Sequence, residues 1–321
     1  MSRAVPRKIP IWLVAVIMAV LIFFAFALIA NALGAKKGKA NHNSYDLPNE
    51  YASESRSLDA NSEKLSFHLL DVGQGDCGLL ELPDGKLILI DLGDKDAGPK
   101  VGEWLSQSGF TNIYCLVATH PHADHIGGFK EILKVINTDT AYFPGEKTGA
   151  TAATSTYKNF LKTLVKKGVS VEDAYAGDYI ISNALYRVLV LAPQPHAYES
   201  LNNTSICLLV SYGDHLLLLT GDAEAESESE MIRNYKDAMR RVTLLKVGHH
   251  GSKTSSTESF LRIVEPDVAF ISLGKDNPYH HPHPSLMKRL LKWCGAVYRT
   301  DEEGSLTFIT DGSEFEVKTA R

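Results

Sequence analysis

Apolar positions divide this chain into three regimes. Residues 9–30 form an uncharged, largely apolar run with no polar period, unlike an amphipathic helix or a half-buried strand. Residues 36–63 are mostly Lys, Asn, Ser, Glu and Asp. They offer little to bury and read as a flexible polar tether. From Lys64 onward, short apolar runs are separated by turn residues and amphipathic stretches.

That third regime predicts alternating strands and helices. Residues 65–71, 77–82 and 87–91 read as consecutive strands, turned at Gly73-Gln-Gly-Asp76 and Pro83-Asp-Gly85. Further strands are predicted over 113–119, 186–191, 205–212, 215–220, 242–247, 268–273, 296–299 and 306–309. Helices are predicted over 99–108, 126–135, 155–167, 223–239, 260–264 and 284–293, the first and third closed by Gly109 and Gly168. Hairpins with helices between them imply two sheets packed face to face with helices outside. No internal repeat is visible.

The run at 9–30 is long enough to cross a membrane as a helix of about 20 residues. Arg3, Arg7 and Lys8 precede it, and Lys36, Lys37 and Lys39 follow it, so flanking charge does not settle the orientation. The short basic tail suits a signal anchor with the following protein outside the membrane. The competing reading is a cleaved signal peptide ending at Ala30-Asn-Ala32, with secretion as the outcome. The expected organisation is an anchor or signal over 1–35, a linker over 36–63 and one folded domain over 64–321.

The chain is 44% hydrophobic and carries a formal charge of −5. The first figure allows a sizeable core; the second lowers a general nucleic-acid binder, which is usually strongly basic. Cys77, Cys115, Cys207 and Cys294 lie far apart, mostly in apolar runs, and are expected as buried thiols rather than a disulfide framework.

The chemistry gathers at strand ends. The segment His120-Pro-His122-Ala-Asp124-His125 follows the strand at 113–119 and precedes Ile126-Gly-Gly128. Three imidazoles and a carboxylate in six residues are the ligand types that zinc prefers. His120 and His122 alternate, so both can point one way. Asp124 and His125 can face a second ion, since two-metal sites hold ions about 3.5–4 Å apart. Asp222 ends the next very apolar strand, as a ligand shared by both ions or as a helix cap. His249-His250-Gly-Ser252-Lys253-Thr254 follows another strand, with His249 expected as the remaining ligand and His250 beside it as a catalytic candidate. Ser252 and Lys253 are expected to hold an anionic oxygen. His281 or His283, in a loop stiffened by Pro282 and Pro284, is expected to serve a leaving group. Asp91 is expected to orient the His loop through hydrogen bonds. Asp71 and Asp76 read as turn residues.

Over residues 64–321 these segments resemble the metallo-β-lactamase superfamily, and within it the hydrolase domain of ComEC-type competence proteins. Five segments in order carry the resemblance: Asp71-Val-Gly-Gln-Gly-Asp76, the His120–His125 cluster, Leu219-Thr-Gly-Asp222, Val247-Gly-His-His-Gly-Ser252 and His281-Pro-His-Pro284. The resemblance implies a four-layer αββα sandwich with a metal site at the sheet edge. It implies two divalent ions, zinc foremost and manganese as the alternative. His120, His122 and Asp222 would hold one, and Asp124, His125, His249 and the shared Asp222 the other. It further implies hydrolysis of a phosphodiester, with single-stranded DNA as a candidate substrate.

The chain departs from the superfamily pattern between the His cluster and Asp222. Leu201-Asn-Asn-Thr-Ser205 contains no His, so Asn203 or Asn202 is expected there, a weaker ligand than imidazole. That departure disfavours a β-lactam substrate. Two alternatives remain: an esterase for phosphocholine or another cell-wall phosphate ester, and a non-catalytic nucleic-acid-binding module.

Overall fold

The computed structural model describes residues 64–150 and 154–321. The apolar run at 9–30 and the tether at 36–63 lie outside the described residues, and the expected membrane anchor with them. Among the described residues no helix is long and apolar enough to cross a membrane.

β1 (Leu65–Leu69), β2 (Gly78–Glu81) and β3 (Leu87–Ile90) pair antiparallel in turn. The chain then changes direction, because helices now supply the crossovers that parallel pairing requires. α1 (Gly98–Gln107) leads to β4 (Cys115–Val117), and α2 (Ala123–Ile126) and α3 (Phe129–Val135) to β5 (Thr140–Pro144). α4 (Ser155–Lys167) leads to β6 (Ser170–Ala174). Each of β4, β5 and β6 lies parallel to the strand before it.

The second half repeats this plan. β7 (Tyr179–Ser182), β8 (Tyr186–Ala192), β9 (Cys207–Tyr212) and β10 (His215–Leu219) form an antiparallel meander. α5 (Ala225–Tyr235), β11 (Leu244–Lys246), α6 (Glu258–Val264), β12 (Val268–Ile271), α7 (Pro284–Trp293) and β13 (Ala296–Arg299) continue it with parallel strands. After α8 (Thr300–Glu303), β14 (Leu306–Thr310) and β15 (Phe315–Thr319) join the first sheet beside β1. The sheets run β15-β14-β1-β2-β3-β4-β5-β6 and β13-β12-β11-β10-β9-β8-β7.

Three apolar cores define four layers. Phe67, Leu80, Val117 and Phe308 of the first sheet share one core with Val190, Leu208, Leu217 and Phe270 of the second. Leu79, Leu89 and Leu116 share another with Val101, Leu105, Ile132 and Phe160 of the first group of helices. Leu209, Leu218 and Leu245 share the third with Met231, Phe260, Leu286 and Leu290 of the other helices. The fold is thus a mixed α/β sandwich of two sheets with helices on both outer faces. All four cysteines are free, and three are buried.

Local sequence explains single elements well. In α4 the Thr154 side chain accepts from the Tyr157 N–H, Gly168 ends the helix in the left-handed region, and Tyr157, Phe160 and Leu164 form the buried stripe. The strands β5, β6, β7 and β15 were not anticipated. β6 and β15 are mostly exposed edge strands, so they carry no apolar signal, and β5 ends in Pro144, a residue that strands rarely hold in their interior.

The expected helix at 126–135 is two helices. Gly127 and Gly128 separate them while keeping right-handed helical angles (φ −64° and −68°), so their role is close approach rather than a tight turn. A Cβ on Gly128 would sit 2.2 Å from the Leu92 carbonyl oxygen and 3.1 Å from the Gly98 Cα. The Gly128 N–H donates to the Gly93 carbonyl at 3.1 Å. The His loop is therefore pressed against the loop after β3. Gly128→Ala is expected to lower the unfolding free energy by about 1–3 kcal/mol, as overpacking does. A denaturant midpoint equal to that of the parent chain would refute this close-packing role.

Candidate metal centre

The site lies where β3, β4, β10, β11 and β12 end, at their carboxyl ends. That is where open α/β sheets leave a crevice. Backbone contacts bind these loops before any side chain acts. Asp76 N–H donates to the Asp124 carbonyl at 3.2 Å, Leu92 N–H to His125 at 2.6 Å and Gly93 N–H to Asp76 at 2.7 Å. Gly75 permits this, since a Cβ there would lie 2.4 Å from the Asp124 carbonyl oxygen.

His120 and His122 converge, with His120 Nε2 3.0 Å from His122 Nδ1. Asp222 Oδ2 lies 3.8 Å from His120 Nε2, 3.2 Å from His125 Nε2 and 3.5 Å from His250 Nε2. Asp124 Oδ2 lies 3.3 Å from His250 Nε2 and 3.9 Å from His125 Nε2. Ligand atoms of Asp124, His125, Asp222 and His250 all fall within 4.8 Å of one another. Two lobes therefore share one carboxylate: His120 and His122 on one side, and Asp124, His125 and His250 on the other.

The group fits cations. Asp222 Oδ1, His125 Nε2 and His250 Nε2 are buried with no hydrogen-bond partner, a costly state unless something binds them. Burial alone would lower the His250 imidazole, but Asp222 and Asp76 override it and raise it to about 10. Burial likewise opposes protonation of His125, yet Asp222 and Asp91 hold it well above its ordinary range. Burial favours the neutral form of Asp222, but His125 and His250 hold its carboxyl far below the usual range. The cluster thus needs positive charge among its carboxylates, and divalent ions would supply it with imidazole and carboxylate donors.

The orienting groups are equally ordered. Asp91 accepts from Thr119 N–H at 2.8 Å and from its hydroxyl at 2.7 Å, and lies 2.7 Å from His125 Nδ1. His250 Nδ1 lies 3.0 Å from the Ser272 carbonyl and 3.4 Å from Asp76 Oδ1. These contacts fix which ring nitrogen faces the centre. Asp91, His249 and His250 hold φ of 58°, 49° and 51°, strained values for residues with a Cβ that the packed surroundings enforce.

Several expected residues stand elsewhere. His250, not His249, enters the ligand cluster, because both residues adopt left-handed backbone and the chain bends there. His249 Nε2 is 3.9 Å from Asp222, while its Nδ1 lies 3.1 Å from Glu224 Oε1 and 3.3 Å from Thr254 Oγ1. Asn203 turns away: its Oδ1 accepts from the Glu224 and Ser227 N–H groups, and its Nδ2 donates to Glu226. It therefore holds the start of α5. Asn202 is the asparagine at the site, with Nδ2 3.3 Å from His249 Nδ1. His283 caps α7, its Nδ1 accepting from the Ser285 N–H. His281 does face the site; its ring is 5.8 Å from that of His249, and its Nδ1 is buried without a partner. Ser252 bonds Thr254 within its own loop at 2.9 Å, and Lys253 is exposed.

Asp76 and Lys246 were missed. They form a buried ion pair beneath His250, with Lys246 Nζ also donating to the Gly221 carbonyl at 3.0 Å. Burial raises the Asp76 carboxyl, but Lys246 and His250 outweigh it and bring it to about 2. A lysine inside the apolar run Leu244-Leu-Lys-Val247 was the available signal. Lys246→Ala leaves Asp76 buried and unpaired, and is expected to cost about 3–5 kcal/mol of unfolding free energy. A loss under 1 kcal/mol, by the magnitude of exposed pairs, would show that the pair is not structural. His250→Ala is expected to lower bound zinc or manganese per chain, measured by elemental analysis, while His249→Ala retains it. The opposite ranking would return the ligand role to His249.

Comparison with known proteins bears on the family and the fold. Residues 70–275 match the model of the metallo-beta-lactamase superfamily. ComE operon protein 3 of Bacillus subtilis is 32% identical over 257 residues, covering 75% of this chain and 32% of the relative. Competence protein ComA of Neisseria gonorrhoeae is 28% identical, covering 74% of this chain and 31% of the relative. The chain thus spans about a third of these relatives' length. Among solved structures, the metallo-beta-lactamase fold protein YhfI of Bacillus subtilis superposes with a TM-score of 0.51 at 11% identity, covering 79% of this chain and all of YhfI. The likeness to YhfI concerns the fold alone. With the family model spanning most of the described sandwich and the ligand cluster inside it, the chain belongs to the metallo-β-lactamase superfamily.

Proposed function

We propose that this chain is a metal-dependent phosphodiesterase that acts on nucleic acid, single-stranded DNA foremost. The observation that carries the reading is the shared carboxylate: Asp222 Oδ2 stands between the His120–His122 lobe and the Asp124–His125–His250 lobe. Paired lobes of this kind suit displacement at phosphorus. The name of the gonococcal relative, a competence protein, supports DNA as the polymer.

His120, His122 and Asp222 would hold one ion, and Asp124, His125, His250 and Asp222 the other. Bound there, the ions would polarise a phosphoryl oxygen and ionise a water at neutral pH. The protein does the rest. Asp91 and Ser272 orient His125 and His250 through their Nδ1 atoms. Asp124, the most exposed carboxylate of the cluster, stands at the mouth. His249 is a positioned acid–base group: Glu224 accepts from Nδ1–H of the protonated ring, and the proton on Nε2 is the one handed to the leaving oxygen, which leaves the neutral ring still bonded to Glu224. Hydrogen bonding from His249, with Thr254 and Asn202, holds the Glu224 carboxyl at about 2 despite partial burial. The carboxylate is therefore charged wherever His249 would need it. His281 is less suited to donate as imidazolium, because burial and the neighbouring His249 lower it to about 4.

The test is turnover of single-stranded DNA, bis-p-nitrophenyl phosphate and nitrocefin, with and without EDTA. The two phosphodiesters are expected to be cleaved, cleavage to stop with chelator and to return with zinc or manganese. Asp222→Asn is expected to lower kcat/KM at least 100-fold, on the order of removing a key electrostatic group. Cleavage that survives metal removal, or turnover confined to nitrocefin, would overturn the reading.

A further inference from the structure

We propose that Tyr279 is a stacking platform for a nucleobase of the substrate strand, beside the metal centre. The inference rests on the phosphodiesterase reading for the substrate class, and on separate observations for the site.

Tyr279 is 65% exposed, so its ring contributes little to any core. Yet it is not loosely placed. Its ring stacks on His281 with centroids 5.8 Å apart and planes 28° apart. His281 is itself 5.8 Å from the ring of His249. A short aromatic stair therefore leads from the acid–base histidine to open solvent.

The loop that carries the stair is braced from within. Asn277 donates through Nδ2 to the carbonyls of Gly274 at 2.9 Å and His281 at 2.7 Å, and its Oδ1 accepts from His281 N–H at 2.9 Å. His283 N–H donates to the Gly251 carbonyl at 2.9 Å, tying the loop to the one that bears His249 and His250. Such bracing lowers the ordering cost when a ring meets a ligand.

Beside the stair opens a polar cavity of about 620 Å³, lined by Lys275, Asn277, His280, His281, Arg299 and Arg321 among others. Arg299 is neutralised by Asp301 and Glu302, and Arg321 pairs with Asp71. Lys275 and Asp276 both line this cavity and neither has an ion pair among the described residues, so the cavity adds polar groups but no net positive charge, and the aromatic stair carries the recognition. An exposed aromatic face on a braced loop beside the metal centre matches the stacking part of single-strand recognition, in which successive bases lie on aromatic side chains. A duplex offers no unstacked base to this ring. The occupant is therefore a single-stranded nucleotide flanking the cleaved phosphate.

The experiment measures binding of the metal-loaded protein to two cleavage-resistant phosphorothioate oligonucleotides. One carries 2-aminopurine at successive positions and the other an abasic residue at the same positions. Wild type is expected to bind the base-bearing strand more tightly and to change 2-aminopurine fluorescence at one register. Tyr279→Ala is expected to weaken the base-bearing strand about 5- to 150-fold, from the usual size of base stacking, and to erase the preference over the abasic strand. Tyr279→Trp is expected to retain it. Equal binding of both strands by wild type, or equal weakening of both by Tyr279→Ala, would overturn the platform. Because the readout is affinity, it separates from the catalytic reading: failure to hydrolyse bis-p-nitrophenyl phosphate counts against that reading alone.

Discussion

Asp222 is a carboxylate at 1% exposure, at the end of a strand made of five consecutive apolar or His residues. An isolated charge in such a place would cost several kcal/mol, so it must be matched. The molecule matches it with imidazoles from two loops, His120 and His125 from one and His250 from another. Those imidazoles then need partners on their far sides, which Asp91 and Ser272 provide. Asp76 sits behind His250 and is itself answered by Lys246. Each buried charge therefore requires the next, and the chain of requirements ends at two lobes with free ligand atoms.

The same constraint accounts for the backbone around the site. Loops that carry ligands must approach within hydrogen-bond distance, which leaves no room for a Cβ at Gly75 or Gly128. Where a residue of the site must bend the chain, it takes strained angles, as the ligand His250, the orienting Asp91 and the neighbouring His249 do. Three apolar cores below hold this edge rigid. Burial in the sandwich offsets strain and desolvation at its rim, a common division between scaffold and site.

Much was legible before the structure. Each half of the chain announces its strands by apolar runs and its helices by caps, as α4 shows between Thr154 and Gly168. The His120–His125 cluster and Asp222 were legible because polar ligand types at the ends of buried strands have few structural excuses. Edge strands were not legible, because β6 and β15 are exposed and carry the composition of loops. Asp76 was hidden as well: an aspartate in a Gly-rich turn looks like turn chemistry, and only a lysine from a strand of the other sheet reveals its charge as buried.

The sequence by itself determined the inventory: which ligand types exist, in what order, and that they end apolar strands. Those facts depend on local pattern alone. The tertiary structure decided assignment. It chose His250 over His249 for the cluster, turned Asn203 to the start of α5, spent His283 on capping α7 and left Tyr279 bare beside His281. Adjacent residues differ little in composition, but the direction of a side chain depends on the backbone angle at one position. That angle is set by packing between segments far apart in the chain.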